Sequence, residues 1–176
     1  RLGERALEAG IPPGVFTALA GPVASYNVLS VASPVLAAMG AYLLCRRLVG
    51  RELPAAVGGY LFGFSAYEFA PLPGHLNLTL IFLLPLIFLL ALRRAEGGTS
   101  RAVYVACMAV MLVLQAGLST ELLADAVGIG AVTIVAAYVF CDAKWRRGIA
   151  VLAGETVGAG LVGIVLPSPF LYNATL

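Results

Sequence analysis

Charge is what this sequence has least of. Of 176 residues, 11 are Lys or Arg, 9 are Asp or Glu and one is His, whereas 61% are apolar. Soluble globular domains carry about 45–50% apolar and about 25% charged residues, so there is too little polar surface here to coat a water-soluble fold of this size. The same scarcity excludes two other classes. A net charge of +2, with the arginines dispersed between apolar runs, makes no nucleic-acid-binding face. The lack of any low-complexity tract excludes a disordered chain. Cysteine is sparse as well: Cys45, Cys107 and Cys141 are odd in number and show no C-x-x-C spacing. They read as reduced thiols packed as small apolar groups, not as a disulfide framework or a metal site. What remains is a bilayer protein.

A helix needs about 20 mainly apolar residues to cross the hydrocarbon, with roughly 17 to 25 tolerated. Six windows fit, over about 24–45, 54–70, 76–92, 102–118, 122–140 and 148–166; the second carries Glu68 near its end, and the third contains Pro85 as an expected kink. The expected fold is therefore all-α, a polytopic helical membrane bundle of about six transmembrane helices. Ahead of it, the polar start through Glu8 lacks the apolar core and small-residue cleavage site of a signal peptide. Pro12, Pro13, Gly14 and Pro22 interrupt the short apolar run that follows. Residues 1–23 are thus expected to form an outer-loop remnant and an interfacial segment, and residues 24–176 the transmembrane domain.

Basic residues in short loops are retained on the cytoplasmic side. Arg46, Arg47 and Arg51 follow the first window, Arg93, Arg94 and Arg101 the third, and Lys144, Arg146 and Arg147 the fifth. Every second loop is basic. The intervening turns, Pro71 to His75 and Ser119 to Glu121, hold no Lys or Arg, so both turns and both chain ends are expected to face outward.

An acidic side chain at the bilayer centre costs about 2.5–3.5 kcal/mol on insertion scales, which makes each one inside a window informative. Glu155 lies eight residues past Arg147, roughly 12 Å into its helix at 1.5 Å per residue. It needs a partner or a proton, and reads either as a packing group or as part of a substrate or ion site. Glu121 and Asp125 fall one turn apart on one helix face. Capping by Ser119 or Thr120 and the helix dipole account for Glu121, while Asp125 stays open between a structural and a functional role. Glu68, His75 and Asn77 bracket the outer turn between the second and third windows. His75 is the only histidine and suits proton transfer or a phosphate contact, although a lone His in an interfacial turn is also an ordinary wetted residue. Glu68, His75, Asn77, Glu121 and Asp125 all fall at one membrane surface under this threading. The sequons at Asn77 and Asn173 lie in or beside apolar segments and read as chance matches. Two i,i+4 glycine pairs, Gly59 with Gly63 and Gly154 with Gly158, are expected to bring helix backbones together.

The runs Gly21-Pro22-Val23-Ala24-Ser25-Tyr26-Asn27, Ala41-Tyr42-Leu43-Leu44-Cys45-Arg46-Arg47-Leu48, Gly59-Tyr60-Leu61-Phe62-Gly63-Phe64-Ser65, Gly74-His75-Leu76-Asn77-Leu78 and Leu118-Ser119-Thr120-Glu121 resemble a family of bacterial multi-spanning glycosyltransferases of the GT-C class. The resemblance covers roughly Gly21 to Ala126. It implies an integral membrane enzyme that moves a sugar from a polyprenyl-phosphate donor to a cell-envelope acceptor at the outer face, with inversion at the sugar C1. A carboxylate would accept the acceptor proton, and polar groups would stabilise the departing phosphate. On this resemblance Glu68, His75 and Asp125 are the catalytic candidates, and His75, Asn77, Glu121 and Asp125 the substrate-binding ones. The implied partners are membrane lipid, the lipid-linked sugar and an envelope glycan. The resemblance implies no certain cofactor beside the lipid-linked donor sugar, and a divalent cation at Glu121 and Asp125 would need further oxygen ligands. The family's acidic first outer loop has no counterpart before Gly21, where only Glu4 and Glu8 occur. The chain is accordingly expected to be a fragment that begins downstream of that loop, or a truncated inactive relative. Two other readings stand beside it: a proton-coupled transporter or flippase using Glu155 and Asp125, and a non-catalytic membrane subunit.

Overall fold

The computed structural model describes residues 15–70 and 78–165. Among them are seven helices and no strand: α1 (Val15–Val49), α2 (Glu52–Gly63), α3 (Ala66–Phe69), α4 (Leu83–Ala95), α5 (Arg101–Leu118), α6 (Thr120–Phe140) and α7 (Ala143–Val165). The all-α helical architecture expected from the hydropathy pattern is what the chain adopts. Val23–Val49 of α1, all of α5 and all of α6 are long and apolar enough to cross a membrane. Helix α6 makes the point sharply, because Leu122 is the one buried residue among its 21. Ile129, Val132 and Val135 are exposed, and Phe140 is 88% exposed. An apolar patch of this extent is a liability in water and ordinary in lipid. These helices fit a membrane-embedded protein.

Two windows fold differently from the sequence reading. The second is cut in two: α2 ends at Gly63 after 12 residues, about 18 Å at 1.5 Å per residue. The Phe64 N–H closes onto the Tyr60 carbonyl at 2.9 Å. Ser65 is extended (φ −74°, ψ 158°), and four residues of α3 follow. Stacked Tyr60 and Phe64 rings, 5.1 Å apart, and Phe69 at 6.2 Å from Phe64 pack across the break. The third window turns first, with the Ile81 N–H on the Thr79 carbonyl at 2.8 Å, and only then forms the 13 residues of α4. Pro85 therefore lies in the first turn of α4, where a missing N–H costs no intrahelical bond. It starts this helix and does not kink it.

The kink lies instead in α1, at Gly21 (φ 78°, ψ 162°), a conformation open to glycine and strained for other residues. At its other end Gly50 (φ 70°) returns its N–H to the Arg46 carbonyl at 2.9 Å, a left-handed C-terminal cap. Arg46 then reaches Glu52 at 2.6 Å, and the Tyr42 hydroxyl bonds the same carboxylate, so the end of α1 is tied to the start of α2.

Helices α1 and α2 form the most extensive helix pair, and glycines make it possible. A Cβ on Gly59 would meet the Ala38 carbonyl at 2.6 Å, and one on Gly63 the Pro34 carbonyl at 2.4 Å. The first expected glycine pair is thus a backbone contact. The second is not: Gly154 and Gly158 have nothing within 4 Å. On α7 the inward stripe is Glu155, Ala159 and Gly163, one residue round from the expected pair. It is Gly163 that meets α5, where its Cβ would lie 3.1 Å from Val113 and 3.4 Å from the Ala109 carbonyl.

The described chain divides into two compact units, one running to Leu89 and including Gly117–Leu122, the other comprising Leu90–Ala116 and the chain from Leu123 onward. In the first, Ala37, Ile81 and Leu122 form a buried core flanked by Leu78, Phe82 and Leu84.

Candidate functional site

Hydroxyls in an apolar helix ordinarily satisfy themselves on the carbonyl four residues back. Ser25, Ser30, Thr133 and Thr156 do so, at 2.8–2.9 Å. Ser33 does not. It is fully buried on α1, and its Oγ lies 2.7 Å from Oε1 of Glu68 and also bonds the Thr79 carbonyl. Three elements of the first unit meet there: α1 through Ser33, α3 through Glu68, and the turn before α4 through Thr79. The break at Phe64 and Ser65 is what carries Glu68 to this point, since its N–H caps on the Ser65 carbonyl at 3.1 Å. Glu68 is 0% exposed, and its second oxygen, Oε2, has no hydrogen-bond partner among the described residues.

Most buried carboxylates are paired, and the second unit shows how. Arg94, in the last turn of α4, grips Glu155 with both prongs, Nε to Oε2 at 2.7 Å and Nη2 to Oε1 at 2.8 Å. Its Nη1 reaches the Thr99 carbonyl at 3.3 Å, and Arg101 adds a contact to Glu155 at 3.6 Å. The Glu155 side chain is 5% exposed. That fork-to-fork contact is a strong hydrogen-bonding geometry, and accepting it holds the Arg94 guanidinium even more firmly in its charged form. Beside it, Thr156 spends its proton on the Leu152 carbonyl at 2.8 Å, so Tyr104 is the donor in their 2.6 Å contact. The partner that the sequence demanded for Glu155 is thus an arginine at the end of another helix.

Of the other expected site residues, Glu121 and Asp125 are exposed on α6. Ser119 caps that helix through its Oγ to the Leu122 N–H at 3.3 Å, which leaves Glu121 in the first turn where the dipole favours it. His75 and Asn77 lie outside the described residues. Among those described, no group of three His, Cys, Asp or Glu side chains could hold a metal, and Cys45, Cys107 and Cys141 are free. Sequence reasoning passed over Ser33, Thr79 and Gln115. The last is wholly buried on α5, and neither its Oε1 nor its Nε2 has a partner among the described residues. A lone amide inside the run Ala109 to Ala116 was the available signal.

No family model, curated protein or solved structure matches this chain.

Proposed function

We propose that this chain is part of a membrane glycosyltransferase that takes a sugar from a polyprenyl-phosphate donor and passes it to a cell-envelope acceptor at the outer face. The observation that carries the reading is Glu68: a carboxyl withdrawn from solvent, fixed on one oxygen by Ser33 and with the other oxygen unbonded among the described residues. A purely structural acid in an apolar setting would be expected to satisfy both oxygens, as Glu155 does. On the threading set by the three basic loops, Glu68 shares its membrane surface with His75, Asn77, Glu121 and Asp125. The imidazole and amide suit a phosphate, and the exposed carboxylates suit sugar hydroxyls. The transport alternative relied on Glu155 as a titrating group in mid-helix. A bidentate arginine gives that residue a structural employment.

The test is turnover. The full-length protein in lipid nanodiscs is expected to release polyprenyl phosphate from a polyprenyl-phosphate sugar, and Glu68→Ala to slow that release about 100-fold, the cost of misplacing a bound substrate by about 1 Å. No release by the intact protein across a panel of such donors would end the proposal.

A further inference from the structure

Ser33 stands between two acceptors, Glu68 Oε1 at 2.7 Å and the Thr79 carbonyl oxygen. A hydroxyl has one proton to give, and a peptide carbonyl has none. Both contacts become hydrogen bonds only if the third group supplies a proton, and that group is Glu68. Were it ionised, the single Ser33 proton could lie in only one of the two contacts, and the other would press two oxygens together with no proton between them. A carboxylate would also sit at 0% exposure without the arginine that Glu155 enjoys, since no ion pair to Glu68 forms among the described residues. Charges buried in that way are too costly to keep. With the acid protonated the chain closes in series, Glu68 O–H to Ser33 Oγ and Ser33 O–H to the Thr79 carbonyl.

We infer that Glu68 binds a proton on Oε1 and works as a neutral carboxylic acid, donating to Ser33 and presenting Oε2 as an uncharged acceptor. The inference rests on the sugar-transfer reading only for its meaning there: Glu68 becomes a positioning residue and not the group that deprotonates the acceptor. An uncharged carbonyl-type oxygen suits a hydroxyl or water donor, and is a poor ligand for a cation. The relay also fixes α3 and the turn at Thr79 to α1 through two bonds, so the proton is part of how this corner is held.

Infrared difference spectroscopy on the full chain in lipid nanodiscs at neutral pH reads this proton directly. Wild type against Glu68→Gln is expected to lose one carboxylic-acid carbonyl band per chain, and that band should shift in heavy water. Ser33→Ala, which keeps the acid and removes its acceptor, should move the same band to higher frequency. If Glu68→Gln does not fold, the Ser33→Ala shift decides alone. Loss of a carboxylate band in Glu68→Gln, or no movement of any acid band in Ser33→Ala, overturns the inference. The two proposals fail separately. An acid band in a protein that turns over no lipid-linked sugar leaves the proton in place and removes the sugar-transfer reading. Turnover without that band does the reverse.

Discussion

The two units each bury a glutamate and treat it in opposite ways. In the second, Glu155 keeps its charge because Arg94 crosses from α4 to α7 and fills both oxygens. In the first, Glu68 meets only a hydroxyl, and one oxygen is left over among the described residues. Removing charge from water costs free energy either way. One unit offsets that cost with a counter-charge and the other, by the proton count at Ser33, with a proton. Both glutamates tie elements of their unit together, but only Glu68 keeps an oxygen without a partner among the described residues.

The sharpest way to break that comparison is to unpair the ionic side. Arg94→Ala should lower thermal stability more than any other single substitution in either unit, because it strands the Glu155 carboxylate with only the weaker Arg101 contact. Replacing both partners, as Arg94→Met with Glu155→Leu, should recover most of the loss, since an apolar pair of similar volume needs no counter-charge. Unfolding of wild type, single variant and double variant in nanodiscs measures it. A double variant as unstable as the single would show that the pair holds more than itself.

Close packing ranks next. A side chain on Gly63 would run into the Pro34 carbonyl and the Ala38 backbone nitrogen, at 2.4 and 2.5 Å, and backbone cannot step aside as a side chain can. Gly63→Val should cost about 1–3 kcal/mol or more, seen as a fall in Tm. An unchanged Tm would mean that α1 and α2 are free to separate.

On the protonated side, substitution should be mild when it preserves neutrality. The amide in Glu68→Gln can donate to Ser33 as the acid does, so its Tm should stay close to wild type. Glu68→Ala leaves Ser33 facing an empty space and should cost about 1–3 kcal/mol. Equal losses in the two variants would argue for a charge at position 68. Smaller still, Gln115→Leu should raise stability by about 1 kcal/mol, because it replaces a buried amide that has no partner among the described residues by hydrocarbon. A loss instead would reveal a partner that the amide serves.

These contrasts also mark what could be read from residues alone. Apolar runs identify helices because hydrocarbon length sets their size, and the contact at Gly59 and Gly63 was legible as a pair of small residues in a short helix. The break at Ser65 was not: nothing in Gly63-Phe64-Ser65-Ala66 forbids a continuous helix, and the contact made just beyond it, Glu68 with Ser33, spans 35 residues of sequence. The need of Glu155 for a partner followed from its depth, but its choice of Arg94 depends on how α4, α5 and α7 pack. Ser33 carried no signal of its own, since a serine in a helix looks the same whether it bonds back to its own turn or reaches out.

The faintest effect is also the cleanest test of facing. Gly154 and Gly158 form as good a small-residue pair in sequence as Gly59 and Gly63, yet periodicity cannot say which stripe of α7 turns inward, and one residue rotates a helix face by about 100°. Glu155 fixes the phase: its carboxyl must meet Arg94, which directs Ala159 and Gly163 inward and leaves Gly158 with open space. Gly158→Leu should therefore leave Tm essentially unchanged, while Gly163→Leu, aimed at Val113 and the Ala109 carbonyl, should lower it. Reversal of that order would mean that α7 is turned the other way, and the ionic pairing of Glu155 would fall with it.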